Sequence, residues 1–409
     1  MSRAVLLVLP TRTYRAAAFL AAARRLDLEV VVASDDASTL GHLHPGRELV
    51  IDLAHPEAAG ARLAQLPDTE RIGAVVAVDE AGVLYAASLA AALGVGGNSP
   101  AAAAATRDKA ELRRRLAGHR LPQPRSEIWA DGAPPPQVAF PVVVKPLDQA
   151  ASRGVIRADD RRQLEQAGLR IRGLLASDQV CGSLPGAGEL LVEEFVAGPE
   201  VAVEALLLDG ELQPLAVYDK PEPLDGPYFE ETIYTVPTGL HPELTSLVWK
   251  QLQEAVWALG LETGPVHAEF RLGQGAPRLI DLASRSIGGR CSGVLRFRSG
   301  ASLEELILLN ALGDQLPEVE LEEGGSGVMM LPIPAAGRLL QVAGQELALE
   351  VPGVDRIEIT VPVGGRIAAP PDGDRYLGFM FAHGTDGPAA AAALRQAHAR
   401  LRVEVEPLN

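Results

Sequence analysis

Over the first hundred residues, short uninterrupted apolar runs alternate with stretches of helical period. Residues 4–9 (Ala-Val-Leu-Leu-Val-Leu) are apolar without a break and stop at Pro10, as expected of a strand covered on both faces. A helix-period stretch at 14–26, a second apolar run at 28–33 ending in Ser34-Asp-Asp36, a third at 72–78 and an alanine-rich helix at 82–93 continue the alternation. The series predicts a small doubly wound α/β domain with a parallel sheet over residues 1–105. From Thr106 the texture changes. The pattern predicts helix over 106–117, strand over 140–146, strand, turn and strand over 190–208, then a strand with a Pro/Gly-rich loop over 215–234. A helix over 244–259 leads into a hairpin over 264–285. An acidic stretch at 318–323 followed by Gly324-Gly-Ser-Gly327 reads as a linker, and beyond it come a short strand at 357–361 and a last helix at 387–399. The chain is therefore expected to be multidomain, α/β and α+β. Its expected divisions are 1–105, 106–312 with a lid subdomain at about 115–195, and a C-terminal lobe at 313–409.

The hairpin is the segment with the clearest chemistry. Two apolar, alternating runs flank Gly273-Gln-Gly-Ala-Pro277. Centring the turn on Gly275 sets Glu269 opposite Asp281. The two-residue period then puts both carboxylates on one face, with Ala283 and Arg285 following on it. Like charges facing each other across a sheet repel. A hard cation between them removes the conflict, since Mg²⁺ takes carboxylate oxygens at roughly 2.0–2.1 Å. Arg285 is then placed to grip a phosphate. The alternative is a solvated hairpin with scattered charges.

Composition narrows the classes. With 409 residues, 47% hydrophobic, the chain is long enough for two or three domains with real cores. A net charge of -16 and no strong basic run argue against nucleic acid or an anionic membrane surface as partner, so an anionic ligand needs a local positive site. Two cysteines, Cys181 and Cys291, suit a reducing cytoplasm, and Cys291 reads as a buried small residue. Residues 4–9 are too short for a signal peptide or a membrane span. The turn Pro10-Thr-Arg-Thr-Tyr-Arg15 lacks the glycines of a dinucleotide fingerprint, which makes a nicotinamide oxidoreductase the weakest rival. Lysine is scarce, with Lys109, Lys145, Lys220 and Lys250 against 33 arginines, so positions that keep lysine are candidates for needing a compact ammonium.

Several such positions fall at element ends. Lys109 opens a helix after Asp108, either as a phosphate ligand or as a solvated first-turn lysine. Lys145 ends the apolar strand before Pro146, where its ammonium must leave the sheet and a phosphate can neutralise it. In the loop 147–155, backbone N–H groups and the Ser152 hydroxyl can cradle phosphate oxygens. Glu193-Glu-Phe-Val196 ends a strand, and Glu200 follows Gly198-Pro. Lys220 and Glu230 flank a Pro/Gly loop, either near the reacting groups or on a surface loop. His267 shares the face of Glu269, to orient substrate or a ligand carboxylate or as a satisfied structural histidine. Gly288 and Gly289 allow close backbone approach to an oxyanion.

In this order the motifs resemble the ATP-grasp superfamily, and within it the carboxylate–amine ligases similar to bacterial L-amino-acid ligases. The resemblance spans most of the chain, and Arg375-Tyr-Leu-Gly-Phe-Met-Phe-Ala-His-Gly384 resembles the ligases' final segment. It implies an ATP-grasp fold: an N-terminal doubly wound α/β domain, a split ATP-binding domain and a C-terminal α+β lobe. It implies that Lys109, Lys145, Ser152 and Gly154 hold ATP phosphates. Glu193, Glu194 and Val196 would then read adenine, and Glu200 would accept from ribose hydroxyls. Glu269 and Asp281 would hold Mg²⁺, with Mn²⁺ as the alternative, and Arg285, Lys220, Glu230, His267, Gly288 and Gly289 would serve the reacting groups. Three departures stand out: Asp281 where Glu is common, Ala283 where Asn is common, and a phosphate loop that keeps only Gly154.

The implied activity joins a carboxylate to an amine, with ATP cleaved to ADP and phosphate through an acyl phosphate. Two amino acids as substrates would give a dipeptide, and a cytoplasmic homodimer is the expected setting. The enzymatic rival is an ATP-grasp carboxylase or formyl-transferring ligase of nucleotide metabolism. The rival from another class is a non-catalytic ATP-binding sensor or scaffold, for which the departures at Asp281 and Ala283 speak.

Overall fold

The computed structural model describes residues 3–11, 13–36, 48–177, 188–373 and 375–407; Cys181 lies outside them. The N-terminal sheet is parallel, in the order Glu48–Val50, Glu29–Ser34, Ala4–Leu9, Ile72–Ala77. Ala4–Leu9 is buried at every position. Val5, Leu7 and Leu9 pack with Phe19 and Leu20 of the helix Ala16–Arg25, while Leu6 and Val8 pack with Tyr85 and Leu89 of the helix Val83–Leu93. Helices on both faces explain why the run shows no alternation. The chain leaves Ala4–Leu9 to one side for Glu29–Ser34 and returns on the other for Ile72–Ala77. That reversal opens a crevice at the C-terminal strand ends.

The central sheet has eight antiparallel strands: Arg278–Ala283, Gly264–Arg271, Glu200–Leu208, Glu211–Lys220, Ile233–Val236, Gly325–Leu331, Gly378–Gly384 and Val354–Ile359. The linker expected at 324–327 is not one. Residues 325–327 open a strand that joins the C-terminal segment to the same sheet. Glycine is there because the final helix, Gly387–His398, presses on the strand. A Cβ on Gly325 would stand 2.0 Å from the Asp386 carbonyl carbon, and one on Gly327 would stand 3.0 Å from Leu394 Cδ1. Close packing and a flexible linker select the same residue type.

The lid sheet, also antiparallel, runs Ser126–Trp129, Leu190–Glu194, Val142–Pro146, Ile156–Ala158. A helix absent from the sequence reading, Arg161–Ser177, covers it with Leu164, Ala167 and Ile171. Also absent from that reading are the helices Pro100–Arg107 and Leu303–Ala311, and the short helices Ala59–Leu63 and Gln345–Leu349. Leu303–Ala311 had a signal: Ser302 and Glu305 form a reciprocal capping box ahead of an apolar run. Leu303, Leu306 and Ile307 share a core with Phe19 and Ala74, and Glu305 receives Arg25 Nε at 2.8 Å, which docks the parallel sheet onto the rest. Among the described residues no helix is long and apolar enough to cross a membrane.

Candidate active site

The lid sheet, the central sheet and the C-terminal ends of the parallel strands enclose a cavity of about 280 Å³. At its lid end, Asp108 caps the helix Lys109–Gly118 by accepting from the Ala110 and Glu111 amides at 2.8 and 3.2 Å. Lys109 is left as the first helical residue with its side chain on the cavity wall. Its Nζ donates to the Gln149 carbonyl at 2.8 Å and lies 3.6 Å from Asp281 Oδ2. Lys145 Nζ is 2.7 Å from Glu193 Oε2, and Arg113 Nε is 2.5 Å from Glu193 Oε1. Burial alone would raise the Glu193 carboxyl, but the two cations outweigh it and bring it down to about 2. As placed, this carboxylate holds Lys145 and Arg113 rather than standing as a bare acceptor for a base. Glu194 pairs with Arg125 at 2.9 Å and with Arg278, and Val196 lies on the wall beside it. Ser152 lines the cavity. Gly154 does not, and its amide donates to the Pro371 carbonyl at 3.3 Å. Ala151 and Ser152 both hold φ of +54°, a left-handed backbone uncommon without glycine.

The middle of the cavity is acidic. Glu269 pairs with Asp281 as expected, but a bulge separates them from the turn, where Phe270 pairs with Leu279 and Arg271 with Arg278, one residue out of a register centred on Gly275. Lys220 Nζ sits behind them, 2.6 Å from Glu200, 2.9 Å from Glu231 and 2.7 Å from Glu269. It is buried beneath the wall rather than on it. Glu200 also receives Arg271 Nε at 2.7 Å, so two cations hold its carboxylate at the cavity wall. Glu230, expected near the reacting groups, does not reach the cavity; its neighbour Glu231 does. The backbone is irregular there until the strand Ile233–Val236 begins, so a two-residue period could not choose between them. Burial pushes the Glu231 carboxyl up, to about 7, against the pull of Lys220. His267 Nδ1 lies 3.1 Å from the fully buried Glu204, which also accepts the Ile287 amide at 3.0 Å; His267 Nε2 lies 3.9 Å from Glu269. Glu269 and Asp281 both reach the wall and offer only carboxylate oxygens, a donor set that fits a hard divalent cation, and Ala283 adds none.

At the far end, Arg285 lies on the wall with Gly288 and Gly289. Its Nε is 2.6 Å from Glu80 Oε2 and its Nη1 donates to the Ser286 carbonyl at 2.9 Å. Burial would raise the Glu80 carboxyl, but Arg285 and Arg107 bring it down to about 2. Gly289 has φ of +60°, and a Cβ there would meet Phe379 Cε1 at 3.0 Å. Cys291 is buried as expected, with its thiol 3.4 Å from Met330 Sδ.

Three family models match in chain order: the ATP-grasp N-terminal domain at residues 20–97, the ATP-grasp domain at 138–294 and the L-amino acid ligase C-terminal domain 2 at 329–406. The chain belongs to the ATP-grasp ligase family. The crystal structure of the L-amino acid ligase from Bacillus licheniformis superposes on it with a TM-score of 0.81 and 25% identity, over 99% of this chain and 100% of that one. The uncharacterized protein y4rH of Sinorhizobium fredii is 24% identical over 418 residues, 100% of this chain and 84% of that one. Alanine–anticapsin ligase of Bacillus subtilis is 26% identical over 185 residues, which is 42% of this chain and only 39% of that protein.

In this ATP-grasp ligase, sequence reasoning named Glu193 and Glu200 but missed four other acids of the site, Glu204, Glu231, Asp79 and Glu80. Glu204 and Glu231 lie in or beside strands that read as apolar. Asp79 and Glu80 carried a signal: they follow an apolar run in a parallel sheet, where ligands gather at the carboxyl ends of the strands.

Proposed function

We propose that this ATP-grasp ligase joins a carboxylate to an amine through an acyl phosphate, with release of ADP and phosphate, and that both substrates are amino acids. The observation that carries the reading is a single cavity joining Lys109, Lys145 and the loop around Ser152, the facing Glu269 and Asp281, and the Arg285–Gly288–Gly289 corner. The likeness to the Bacillus licheniformis L-amino acid ligase and the match to that family's C-terminal domain support the choice of substrates. On this reading the chain divides at about residues 105 and 312, with the lid at 115–195, and works as a homodimer.

The residues divide the work by position. Lys109 and Lys145 present ammonium groups where the triphosphate would lie, and the backbone around Ser152 closes over it to exclude water from the acyl phosphate. Glu269 and Asp281 would hold Mg²⁺, which when bound offsets charge on the β- and γ-phosphates. Lys220 pairs with Glu200, Glu231 and Glu269 and holds them in place from beneath the cavity wall. Glu204 orients His267 toward Glu269. Arg285, steadied by Glu80, and the amides around Gly288 and Gly289 face the acyl oxygen as charge develops on it. Positioning and electrostatics account for the rate, and no covalent protein nucleophile takes part.

The test is release of ADP and phosphate by the purified protein with ATP, MgCl₂ and pooled L-amino acids, with mass spectrometry of the products and Glu269→Gln as control. Amino-acid-dependent ADP release with a new dipeptide mass, lost in the variant, is expected. ATP binding without turnover on any pool refutes it in favour of a sensor, and incorporation of labelled bicarbonate refutes it in favour of a carboxylase.

A further inference from the structure

Asp79 follows the strand Ile72–Ala77, at the crevice where the parallel strand order reverses, and lines the same cavity as Arg285. Its carboxylate oxygens take the Glu80 amide at 2.8 Å and the Thr13 hydroxyl at 3.0 Å, both neutral donors. The neighbouring acids on the wall are committed to cations: Glu80 to Arg285 and Arg107, Asp281 to Lys109, Glu231 and Glu269 to Lys220. Among the described residues Asp79 forms no salt bridge, and the Arg285 guanidinium that senses its charge gives its Nε to Glu80. Two neutral donors and the field of Arg285 leave this half-buried carboxylate without a cation in salt-bridge reach among the described residues, so a cationic group on a ligand is favoured beside it.

On the ligase reading above, we infer that Asp79 receives the ammonium group of the acid substrate, which stays protonated through the reaction, so that the carboxylate donor is an amino acid and not a simple or hydroxy acid. The attacking amine is a poor occupant, because it must be neutral to react and a carboxylate beside it would hold its proton. An ammonium on the donor is not consumed in the reaction. Tyr14 and Tyr376 line the same cavity and are held edge-on against Phe379, at 5.5 and 5.8 Å between ring centroids. A purely structural Asp79 would do no more than cap the short turn Glu80–Gly82.

Hydroxylamine can serve as a generic amine, so the donor site can be tested without knowing the natural amine. Hydroxamate formation is measured with ATP and MgCl₂ for the L-amino acids and, in parallel, for their L-2-hydroxy acid counterparts. The wild type is expected to use amino acids at least roughly tenfold better than the hydroxy acids, from loss of one charge-assisted hydrogen bond. Asp79→Asn, whose single amide oxygen can still accept the Glu80 amide while its NH₂ donates to the Thr13 hydroxyl, should lower kcat/KM for amino-acid donors by roughly 10- to 100-fold, mostly through KM. It should leave hydroxy-acid rates and the melting temperature unchanged. Equal use of amino and hydroxy acids by the wild type overturns the inference without any variant. So does an Asp79→Asn enzyme that loses both donors equally, or neither. If no acid of either kind gives hydroxamate, the ligase reading itself fails and this one with it.

Discussion

Replacing Glu193 by Gln removes a charge that two buried cations depend on. Glu193, Arg113 and Lys145 are 2%, 4% and 8% exposed, so solvent screens the trio little. Burial opposes the Glu193 charge, yet Arg113 and Lys145 hold its carboxyl at about 2 against an ordinary 4.5. At about 1.4 kcal/mol per tenfold change in proton affinity, that gap corresponds to about 3 kcal/mol. Removing one partner of a buried ion pair costs roughly 3–5 kcal/mol, which agrees. The folded-state value is depressed, so the stabilisation is complete above the unfolded value and is lost as pH falls through 4.5 toward 2. Urea denaturation of wild type and Glu193→Gln should therefore differ by about 3 kcal/mol at pH 7, and by less than half of that at about pH 3. A gap below about 1 kcal/mol at pH 7, or one that does not narrow with acid, would refute the argument that the charge is worth more folded than unfolded.

Three further outcomes follow from the same geometry. Lys220→Met leaves Glu200, Glu231 and Glu269, whose oxygens lie within 4.8 Å of one another, without their ammonium. It should cost roughly 3 kcal/mol or more, and in differential scanning fluorimetry MgCl₂ should raise its melting temperature more than that of the wild type; equal shifts would contradict this. Burial raises the Glu80 carboxyl, but Arg285 and Arg107 bring it to about 2. The stability lost in Glu80→Gln should thus be present above about pH 4.5 and vanish toward pH 2, as urea titrations at stepped pH would show. Gly325→Ala forces a Cβ to 2.0 Å from the Asp386 carbonyl carbon; circular dichroism melts should show a loss of roughly 1–3 kcal/mol.

Residues acting through local chemistry were legible in the chain. The hairpin and the pairing of Glu269 with Asp281 were legible from the two-residue period, although the one-residue register shift between that pair and the turn was not. Lys145 at its strand end and Lys109 after a capping Asp108 are equally local, as is the buried run Ala4–Leu9. These depend on backbone geometry within a few residues, which composition and spacing express directly.

What the fold alone decided is which charge meets which. Lys220 and the acids at 200, 231 and 269 come together across three strands and a loop, and Arg113 meets Glu193 from a helix 80 positions away. Choosing Glu231 over Glu230, or reading Gly324-Gly-Ser-Gly327 as a tightly packed strand start, needs the neighbour that fills the space. The sequence by itself determined the periodicities, the caps and the type of chemistry. Tertiary structure decided the pairings, because a buried charge takes its partner from whatever the packing brings within hydrogen-bond reach, regardless of distance along the chain.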